Sequence, residues 1–347
     1  MDSENLEEAL SSPDDPEAEA LAAKLRHREA QVRKLKADNR KLSKQVVELE
    51  RGLEIREGIT IPVEGKPIQA DSKLLHEATA IAMLSDVHWG EVVDPATIND
   101  INEYTPEIAE ASVARFFELV RWHVKMLRSR IEIKELLLIL GGDLITGHLH
   151  DELLETNALG PIPEAIAVQA AIKSGIDYLL EDHDLKLNIA CVYGNHGRIT
   201  AKRRHSTGAR NSIERYLYSN LANLFKGNDR TIWTVADGAH IYQQIYGDTV
   251  RIHHGDDVRY GGGVGGLSIP LHKACKNWDT VRKVKCSFFG HWHQLRDFGF
   301  ACVNGSTIGY SAYSLAIKAE FEPPRQLFCL WDKKHGKTVF APILTRS

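Results

Sequence analysis

Five short segments of this chain combine aspartate, asparagine and histidine in spacings that suit the binding of divalent metal ions. In chain order they are Asp86-Val87-His88, Gly142-Asp143, Gly194-Asn195-His196, His254-Gly255-Asp256 and His291-Trp292-His293. Carboxylate and amide oxygens together with imidazole nitrogens suit Mn²⁺, iron or Zn²⁺ better than Mg²⁺ or Ca²⁺ alone. In Asp86-x-His88 and in His291-x-His293, the two named residues are two positions apart. On an extended segment this spacing directs both side chains to the same side. The sequence therefore indicates a metal site assembled from separate segments.

Each of these segments follows a run of apolar residues that is typical of a buried strand. The runs cover residues 79–84, 135–140, 187–193, 250–253 and 285–289. Helical spacing over 107–128 and 164–181 separates the first three, which predicts βαβαβ order and a largely parallel sheet. Because loops beyond the carboxyl ends of such strands converge, the five segments are expected at one edge.

After residue 230 the strand-like runs become shorter, at 231–235, 240–246, 249–254 and 285–289. They predict a second, partly antiparallel sheet. The expected fold is an α/β sandwich of the four-layer type, with two mixed sheets flanked by helices, in a domain covering 77–347.

The region before this domain has a different composition. Residues 1–19 hold eight acids and no base, and residues 1–16 are predicted to form an acidic flexible tail. Residues 17–56 are predicted to form a coiled-coil helix and 57–76 a linker with two glycines and two prolines. In the helix, the heptad a positions are Leu25, Val32, Asn39, Val46 and Leu53, and Leu35, Leu42 and Leu49 occupy d.

This seam predicts a parallel homodimer, because β-branched residues at a with leucine at d favour two strands and a lone Asn39 at a fixes register. Arg28 at a d position is a departure from the pattern. The alternative is one amphipathic helix folded onto its own catalytic domain, although its apolar stripe is narrow.

Composition places the chain among ordinary globular proteins, at 43% hydrophobic and 26% charged residues. No apolar run approaches the roughly 20 residues that cross a bilayer. The five cysteines form no C-x-x-C pair and no secretory signal is recognisable, so a cytoplasmic location is expected. Beyond residue 19 there are 43 bases against 39 acids, which neither requires nor excludes a nucleic-acid partner.

The ordered set of segments resembles the calcineurin-like metallophosphoesterases, whose pattern runs D-x-H, G-D, G-N-H, H-G and G-H-x-H, over about residues 77–310. Within the family the chain looks most similar to phage and prophage phosphoesterases grouped with DNA-repair exonucleases. The resemblance implies two divalent metal ions and a bridging hydroxide. One ion would be held by Asp86, His88 and His293, the other by Asn195, His254 and His291, with Asp143 bridging. His253 is the alternative to His254, and His254 is preferred because it directly precedes the glycine.

The family also suggests that His196 is the general acid that protonates the leaving group. The chain departs from the family just beyond this residue, where an acid usually follows Asn-His and Gly197-Arg198 stands instead. Arginine makes bidentate contacts to phosphate, so Arg198 is expected either to clamp the substrate or to form a structural salt bridge.

Several neighbouring residues have open interpretations. The basic run from Arg198 through Lys202-Arg203-Arg204-His205 to Arg215 is expected either to track a polyanion or to be a solvated loop. The glycine-rich segment 260–266 would approach a phosphate or be a mobile loop. His148 and His150 are candidates for the pocket wall. Asp256 and Asp257 are candidates for orienting ligand imidazoles.

The predicted function is hydrolysis of phosphodiesters in nucleic acid or a nucleotide, with Mn²⁺ as the expected metal and Fe or Zn²⁺ as alternatives. Two cations about 3.5 to 4 Å apart lower the pKa of a shared water and stabilise charge on phosphorus oxygens. A phosphomonoesterase, including a phosphoprotein phosphatase, uses the same core. The third possibility is a non-catalytic coiled-coil scaffold, which the complete ligand set disfavours.

Overall fold

The computed structural model of the protein describes residues 16–58, 76–259 and 266–346. These residues fall into two units that divide between Asp71 and Ser72. The predicted tail up to residue 15, residues 59–75 of the predicted linker and most of the glycine-rich segment lie outside the described residues.

The first unit contains helix α1, Pro16–Gly58, which is 43 residues long. Its predicted seam faces solvent, with Leu25 40%, Leu35 67% and Leu49 67% exposed. A helix draws most of its stability from packing an apolar face, so this seam is available for a partner. In the described part of the chain, no helix is both long enough and apolar enough to cross a membrane.

The larger sheet of the second unit has seven strands. They are β1 (His76–Leu84), β2 (Ile131–Glu132), β3 (Glu135–Leu140), β4 (Lys186–Cys191), β5 (Thr231–Val235), β11 (Arg325–Asp332) and β12 (Gly336–Leu344). Their order is β12-β11-β1-β3-β4-β5, with β2 beside β1. Strands β1, β3, β4 and β5 are mutually parallel, and β11 runs antiparallel to β1 and β12.

The prediction that residues 231–235 belong to the second sheet is wrong. Strand β5 pairs in parallel with β4, from Leu187 opposite Thr231 to Cys191 opposite Val235. Helix α5 lies between the two strands in the chain, so the βαβ unit continues for one strand beyond the predicted three.

The smaller sheet has five strands. They are β6 (His240–Ile245), β7 (Asp248–His253), β8 (Cys286–Phe289), β9 (Arg296–Asp297) and β10 (Ala301–Val303). The order is β6-β7-β8-β10-β9. The outer pairs are antiparallel and the inner pairs parallel, as expected for a mixed sheet.

The helices of the second unit flank these sheets. They are α2 (Pro106–Leu127), α3 (Asp151–Thr156), α4 (Pro161–Leu180), α5 (Ile213–Leu224), α6 (Ser268–Asp279) and α7 (Ala312–Ala316), with 3₁₀ turns at Pro95–Ile98 and Ala209–Asn211. Helix α2 starts where Thr105 accepts a hydrogen bond from the Ile108 amide and Pro106 needs no partner for an N–H.

Three apolar cores separate four layers. Helices α2, α4 and α5 cover the outer face of the larger sheet, the two sheets pack face to face, and α6 covers the smaller sheet through Leu271 and Cys275. In β1, Ala82 and Leu84 face the helices while Ile81 and Met83 face the second sheet. Burial on both faces explains the unbroken apolar runs in the sequence. The predicted sandwich of two mixed sheets flanked by helices is confirmed.

Candidate metal centre

The predicted ligands sit on turns with an unusual backbone. Asp86 (φ 54°), His88 (φ 49°), Asp143 (φ 50°), His291 (φ 70°) and His293 (φ 51°) are all in the left-handed region. They make up five of the nine non-glycine residues with positive φ in the described part of the chain. This conformation is costly for residues with a Cβ and persists where the surrounding structure enforces it, as at functional sites.

The turn after β3 and the turn after β4 are in direct backbone contact. A Cβ on Gly142, which has φ 87°, would lie 2.4 Å from the Gly194 nitrogen. A Cβ on Gly194 would lie 2.1 Å from Asp143 Oδ1. Both positions therefore require glycine, and this close approach brings Asp143 next to Asn195.

Asp86, His88 and His293 form the first ligand group, with one donor atom from each within 4.8 Å of the others. His293 Nε2 lies 3.4 Å from Asp86 Oδ1 and 3.2 Å from His88 Nε2. The His291 backbone amide fixes the orientation of the Asp86 side chain, because it donates to both carboxylate oxygens, at 2.9 and 3.0 Å.

Asp143, His254 and His291 form the second group by the same distance criterion. His254 Nε2 lies 2.9 Å from Asp143 Oδ2 and 3.1 Å from Asn195 Oδ1. The other ring nitrogen of His254 donates to the Gly141 carbonyl at 2.9 Å, which fixes the orientation of the ring.

Asp143 connects the two groups. Its carboxylate also clusters within 4.8 Å of donor atoms from His88 and His196. The donors fit a pair of divalent cations: carboxylate oxygens lie at the centre, imidazole nitrogens surround them, and both carboxylates are fully or almost fully buried. His88 Nε2 and His293 Nε2 lie at hydrogen-bond distance, 3.2 Å, so both nitrogens face the same side of Asp86.

Burial and charge set the protonation of the ligand histidines. Burial lowers the pKa of His88 well below 6.5 and lowers that of His291 to about 3, so both rings are neutral as metal ligation requires. Burial also works to lower the pKa of His254 and His293, but the negative charges of Asp143 and Asp86 outweigh it and raise both.

Asp143 shows the same balance from the carboxylate side. Burial works to raise its pKa, but the nearby His254 and His196 hold the pKa well below its usual range. Protonated histidines thus neutralise the buried carboxylates in the absence of metal. Binding of cations would release those protons.

His196 lies beside the ligand groups and is oriented toward them. Its ring centroid is 4.6 Å from that of His88 in an edge-on arrangement. Its Nδ1 donates to the Thr146 carbonyl at 2.8 Å, and its amide donates to Asp143 Oδ1 at 2.8 Å. A proton carried for transfer would therefore sit on Nε2. Burial lowers the pKa of this histidine.

A cavity of about 220 Å³ opens next to His196. Its wall includes His148, Leu149 and Ile199, while the His150 ring centroid is 6.4 Å from that of His196. The sequence made His148 and His150 candidates for the pocket wall. Of these two, His148 lines this cavity.

Arg198 points into its own loop. Its Nε donates to the Thr200 carbonyl at 3.0 Å, and its terminal nitrogens donate to the carbonyls of Asn195 at 3.2 Å and Ala201 at 3.3 Å. The guanidinium thus holds the segment that carries Asn195. Each terminal nitrogen has two hydrogens, and these contacts use one of each.

The basic run beyond Arg198 is partly neutralised. Arg203 pairs with Asp256 at 2.9 Å and with Asp257 at 2.6 Å, and Arg215 pairs with Asp237 at 2.5 Å. Asp256 and Asp257 were candidates for orienting ligand imidazoles, but in the structure their carboxylates bind Arg203. This ion-pair cluster ties the loop after β4 to the loop after β7.

The surroundings of His253 and His254 show which of the two can serve as a metal ligand. His253 stacks on Phe289 with centroids 4.8 Å apart and also contacts Trp278. It points into the packing between β7 and α6, since neighbouring residues of a strand face opposite sides. His254 alone of the pair approaches Asp143.

Sequence reasoning missed the buried polar residues that support the ligand turns. Glu214 and Glu164 are fully buried, and each accepts hydrogen bonds from two backbone amides of these turns. Burial raises the pKa of Glu214 to about 7. Glutamates in amphipathic helices normally face solvent, so the sequence offered no signal for either.

A second support lies behind Asp86. Ser85 hydrogen bonds to the Asp86 carboxylate, Asn304 Nδ2 donates to Ser85 Oγ at 2.8 Å, and Gln326 Oε1 accepts the Ser85 amide at 2.9 Å. Glu91 lies 3.9 Å from His88 Nδ1, and burial raises its pKa to about 7. Residues from both ends of the domain thus fix the first ligand turn.

The fold has distant likenesses among solved structures. Vps29 from Entamoeba histolytica in complex with Zn²⁺ aligns at 11% identity and TM-score 0.31, covering 76% of this chain and 99% of that one. A dimetal phosphatase from Danio rerio aligns at 10% identity and TM-score 0.36, covering 77% and 99%. At this distance neither likeness bears on the activity of the chain.

A search of curated proteins found no match to the chain. The sequence profile described as calcineurin-like phosphoesterase matches residues 79–295, which include all seven predicted ligands and His196. The matched span is more than half of the chain and runs from within β1 to beyond the end of β8. The chain therefore belongs to the calcineurin-like phosphoesterase family of metal-dependent hydrolases.

Proposed function

We propose that the protein is a phosphodiesterase that acts on nucleic acid or a nucleotide and requires two divalent cations, with Mn²⁺ as the preferred metal. The observation that carries the proposal is the position of Asp143, whose carboxylate lies within reach of His88 on one side and of His254 and His291 on the other. A carboxylate between two ligand groups is suited to bridge two cations.

The residues of the chain divide the chemistry between them. When bound, the two cations supply Lewis-acid charge and make hydroxide available from water near neutral pH. The carboxylates and imidazoles hold that charge at a fixed place, so equatorial phosphate oxygens bind there without reorganisation. His196 Nε2 gives its proton to the departing oxygen, because Nδ1 is already committed to Thr146.

The pairing of the nearby arginine side chains favours a diester substrate over a monoester. A monoester presents a dianion, whereas a diester linkage carries one negative charge. Arg203 and Arg215 are paired with aspartates, and Arg198 spends its Nε–H and part of its terminal N–H groups on loop carbonyls. We propose that the metal ions supply most of the charge that compensates the phosphate, which suits the single negative charge of a diester linkage.

Arg198 has a second role in this proposal. We propose that the hydrogens which its terminal nitrogens do not donate to the loop bind a phosphate oxygen, since Arg198 also contacts the carbonyl of the proposed ligand Asn195. Replacement by lysine keeps the charge and loses the fork geometry, so a higher KM for Arg198→Lys with a retained metal content is expected. An unchanged KM would limit Arg198 to its loop contacts.

The experiment is an activity panel with the full chain and Mn²⁺, comparing single-stranded DNA, duplex DNA, RNA, cyclic nucleotides, bis-p-nitrophenyl phosphate and a phosphomonoester. Diester hydrolysis that is abolished in Asp143→Asn supports the proposal. Preference for the monoester would identify a phosphomonoesterase instead. A metal-loaded protein inert on every diester would overturn the proposal.

For α1 we propose a parallel homodimer through the described seam residues Leu25, Val32, Leu35, Leu42, Val46 and Leu49. These side chains are at least 40% exposed and follow the heptad spacing, with Asn39 at an a position. Sedimentation equilibrium of the full chain should give twice the chain mass of 38.9 kDa. A monomer at micromolar concentration would contradict this.

The five buried free cysteines fit a reducing compartment, and we propose a cytoplasmic location on that basis. Fractionation of cells that make the protein tests it, and recovery from a secreted or membrane fraction would contradict it.

A further inference from the structure

The spacing between Asp143 and Asn195 depends on how two turns are held together. Asp143 follows β3 and Asn195 follows β4, and their turns touch through Gly142 and Gly194. The two turns lie beyond the last hydrogen-bonded residues of β3 and β4, so the sheet does not hold them together. Their backbone amides therefore need another hydrogen-bond acceptor. The last parallel partners of the two strands are Leu140 and Cys191.

Glu214 supplies that attachment. It lies in the first turn of α5, and its side chain is fully buried. Its Oε1 accepts the Leu144 amide at 2.6 Å, directly after Asp143, and its Oε2 accepts the Gly194 amide at 2.7 Å, directly before Asn195. One rigid carboxyl group therefore sets the distance between the two turns.

The position of Gly197 is explained by the same carboxyl group. A Cβ at residue 197 would lie 2.7 Å from Glu214 Cγ, 3.1 Å from its Cδ and 3.3 Å from its Oε2. The volume that a side chain at 197 would enter is thus filled by Glu214. The chain lacks an acid after Asn195-His196, and a carboxylate from α5 occupies that space.

We infer that Glu214 is a positioning residue for the metal centre, supplying from helix α5 the carboxylate that a residue at 197 would otherwise place between the turns of Asp143 and Asn195. The inference rests on the proposed metal centre and not on the identity of the substrate. A supporting residue of this kind typically contributes 10- to 100-fold to metal affinity.

The first experiment measures Mn²⁺ affinity of the full chain by calorimetry, and hydrogen exchange of the Leu144 and Gly194 amides without metal. Glu214→Ala is expected to bind Mn²⁺ roughly 10- to 100-fold more weakly. Both amides should exchange faster. Glu214→Gln keeps one acceptor oxygen, so its Mn²⁺ affinity should lie between those of the wild type and Glu214→Ala. This variant provides the measurement if Glu214→Ala fails to fold. Wild-type affinity in either folded variant would overturn the inference.

The second experiment moves the carboxylate. Gly197→Glu alone should be destabilised, because its Cβ meets Glu214. The double variant G197E/E214A removes the obstacle and places a carboxylate in the same volume, so it should recover most of the lost Mn²⁺ affinity. A double variant no better than Glu214→Ala would show that Glu214 acts only as packing, and would overturn the inference.

Asp332→Asn is the matched control. Asp332 is also a buried carboxylate that accepts two backbone amides, from Lys334 and His335, but it lies opposite Ala78 near the start of β1. Its loss should lower stability and leave Mn²⁺ affinity unchanged. A wild-type protein that binds Mn²⁺ yet hydrolyses no diester would overturn the proposed function while leaving the Glu214 result intact.

Discussion

The two sheets contribute different chemistry to the same centre. Turns of the larger sheet supply every proposed oxygen ligand, from Asp86, Asp143 and Asn195, together with the imidazole of His88. Turns of the smaller sheet supply imidazoles alone, from His254, His291 and His293. At the metal centre, two hydrogen bonds run from the smaller sheet to the larger one. The His291 amide donates to Asp86, and the His254 ring donates to the Gly141 carbonyl.

This difference teaches that the larger sheet is the framework and the smaller sheet is docked on it. Oxygen ligands carry the negative charge and are braced by buried polar residues such as Glu214 and Ser85. The imidazoles are held by atoms of the framework. Loss of Asp143, the framework ligand that lies between the two groups, should therefore disable both metal sites, while loss of a docked imidazole should disable one.

The largest effect is expected for Asp143→Asn, which removes the charge shared by both ligand groups. Activity should fall by more than the roughly 10⁴-fold upper range for a general acid. Metal analysis by mass spectrometry should find fewer than two ions per chain. Two tightly bound ions with activity near wild type would refute the bridging position.

His196→Ala should lower kcat by about 10² to 10⁴-fold, because the leaving oxygen loses its proton donor. Metal content should stay at the wild-type value, since His196 contributes no bond to the proposed pair. A substrate with a more acidic leaving group should suffer a smaller loss. Equal losses for good and poor leaving groups would contradict the general-acid role.

His254→Ala and His253→Phe form a matched pair from the docked sheet. His254→Ala should lose one ion, with an affinity loss beyond the roughly 10- to 100-fold typical of outer-shell partners. His253→Phe should retain both ions, because His253 is packed against Phe289 and Trp278. Calorimetric titration of both variants checks this, and a metal loss in His253→Phe would reverse the assignment.

Metal affinity should rise with pH. The pKa values of His254 and His293 are raised, so these rings hold protons above pH 6.5 that must leave before a cation binds. Each released proton gives about a tenfold gain in affinity per pH unit until the raised pKa is passed. His291 has a pKa of about 3 and contributes no proton at neutral pH. Calorimetry in buffers of different ionisation enthalpy counts the protons; none released would contradict the charge balance.

Much of the framework was predictable because its strands are continuous apolar runs with ligands at their ends. The run 135–140 coincides with β3, and the helix predicted at 107–128 is observed at Pro106–Leu127. Strands without that signature were misplaced or missed. Strand β5 was assigned to the wrong sheet, and β11 and β12, which complete the larger sheet, were not predicted.

The interpretation of charged residues was less successful. Arg203 reads in sequence as part of a basic run, yet the fold pairs it with Asp256 and Asp257 across more than fifty residues. For Arg198 the sequence left a phosphate clamp and a structural salt bridge open, and the observed bonds of its side chain are to loop carbonyls. A charged side chain has no periodic signature that reveals its partner, so such pairings emerge only when the loops are placed.

The sequence by itself determined which ligand types end each strand and to which family the domain belongs, because these features are encoded in neighbouring residues and in their spacing. The family resemblance implied a bridging Asp143 and the sequence favoured His254 over His253, but the distances that bring His254 to Asp143 come from tertiary structure. The role of Glu214 in joining the two turns was decided by tertiary structure alone. Those outcomes depend on contacts between segments far apart in the chain, which form only when the two sheets pack together.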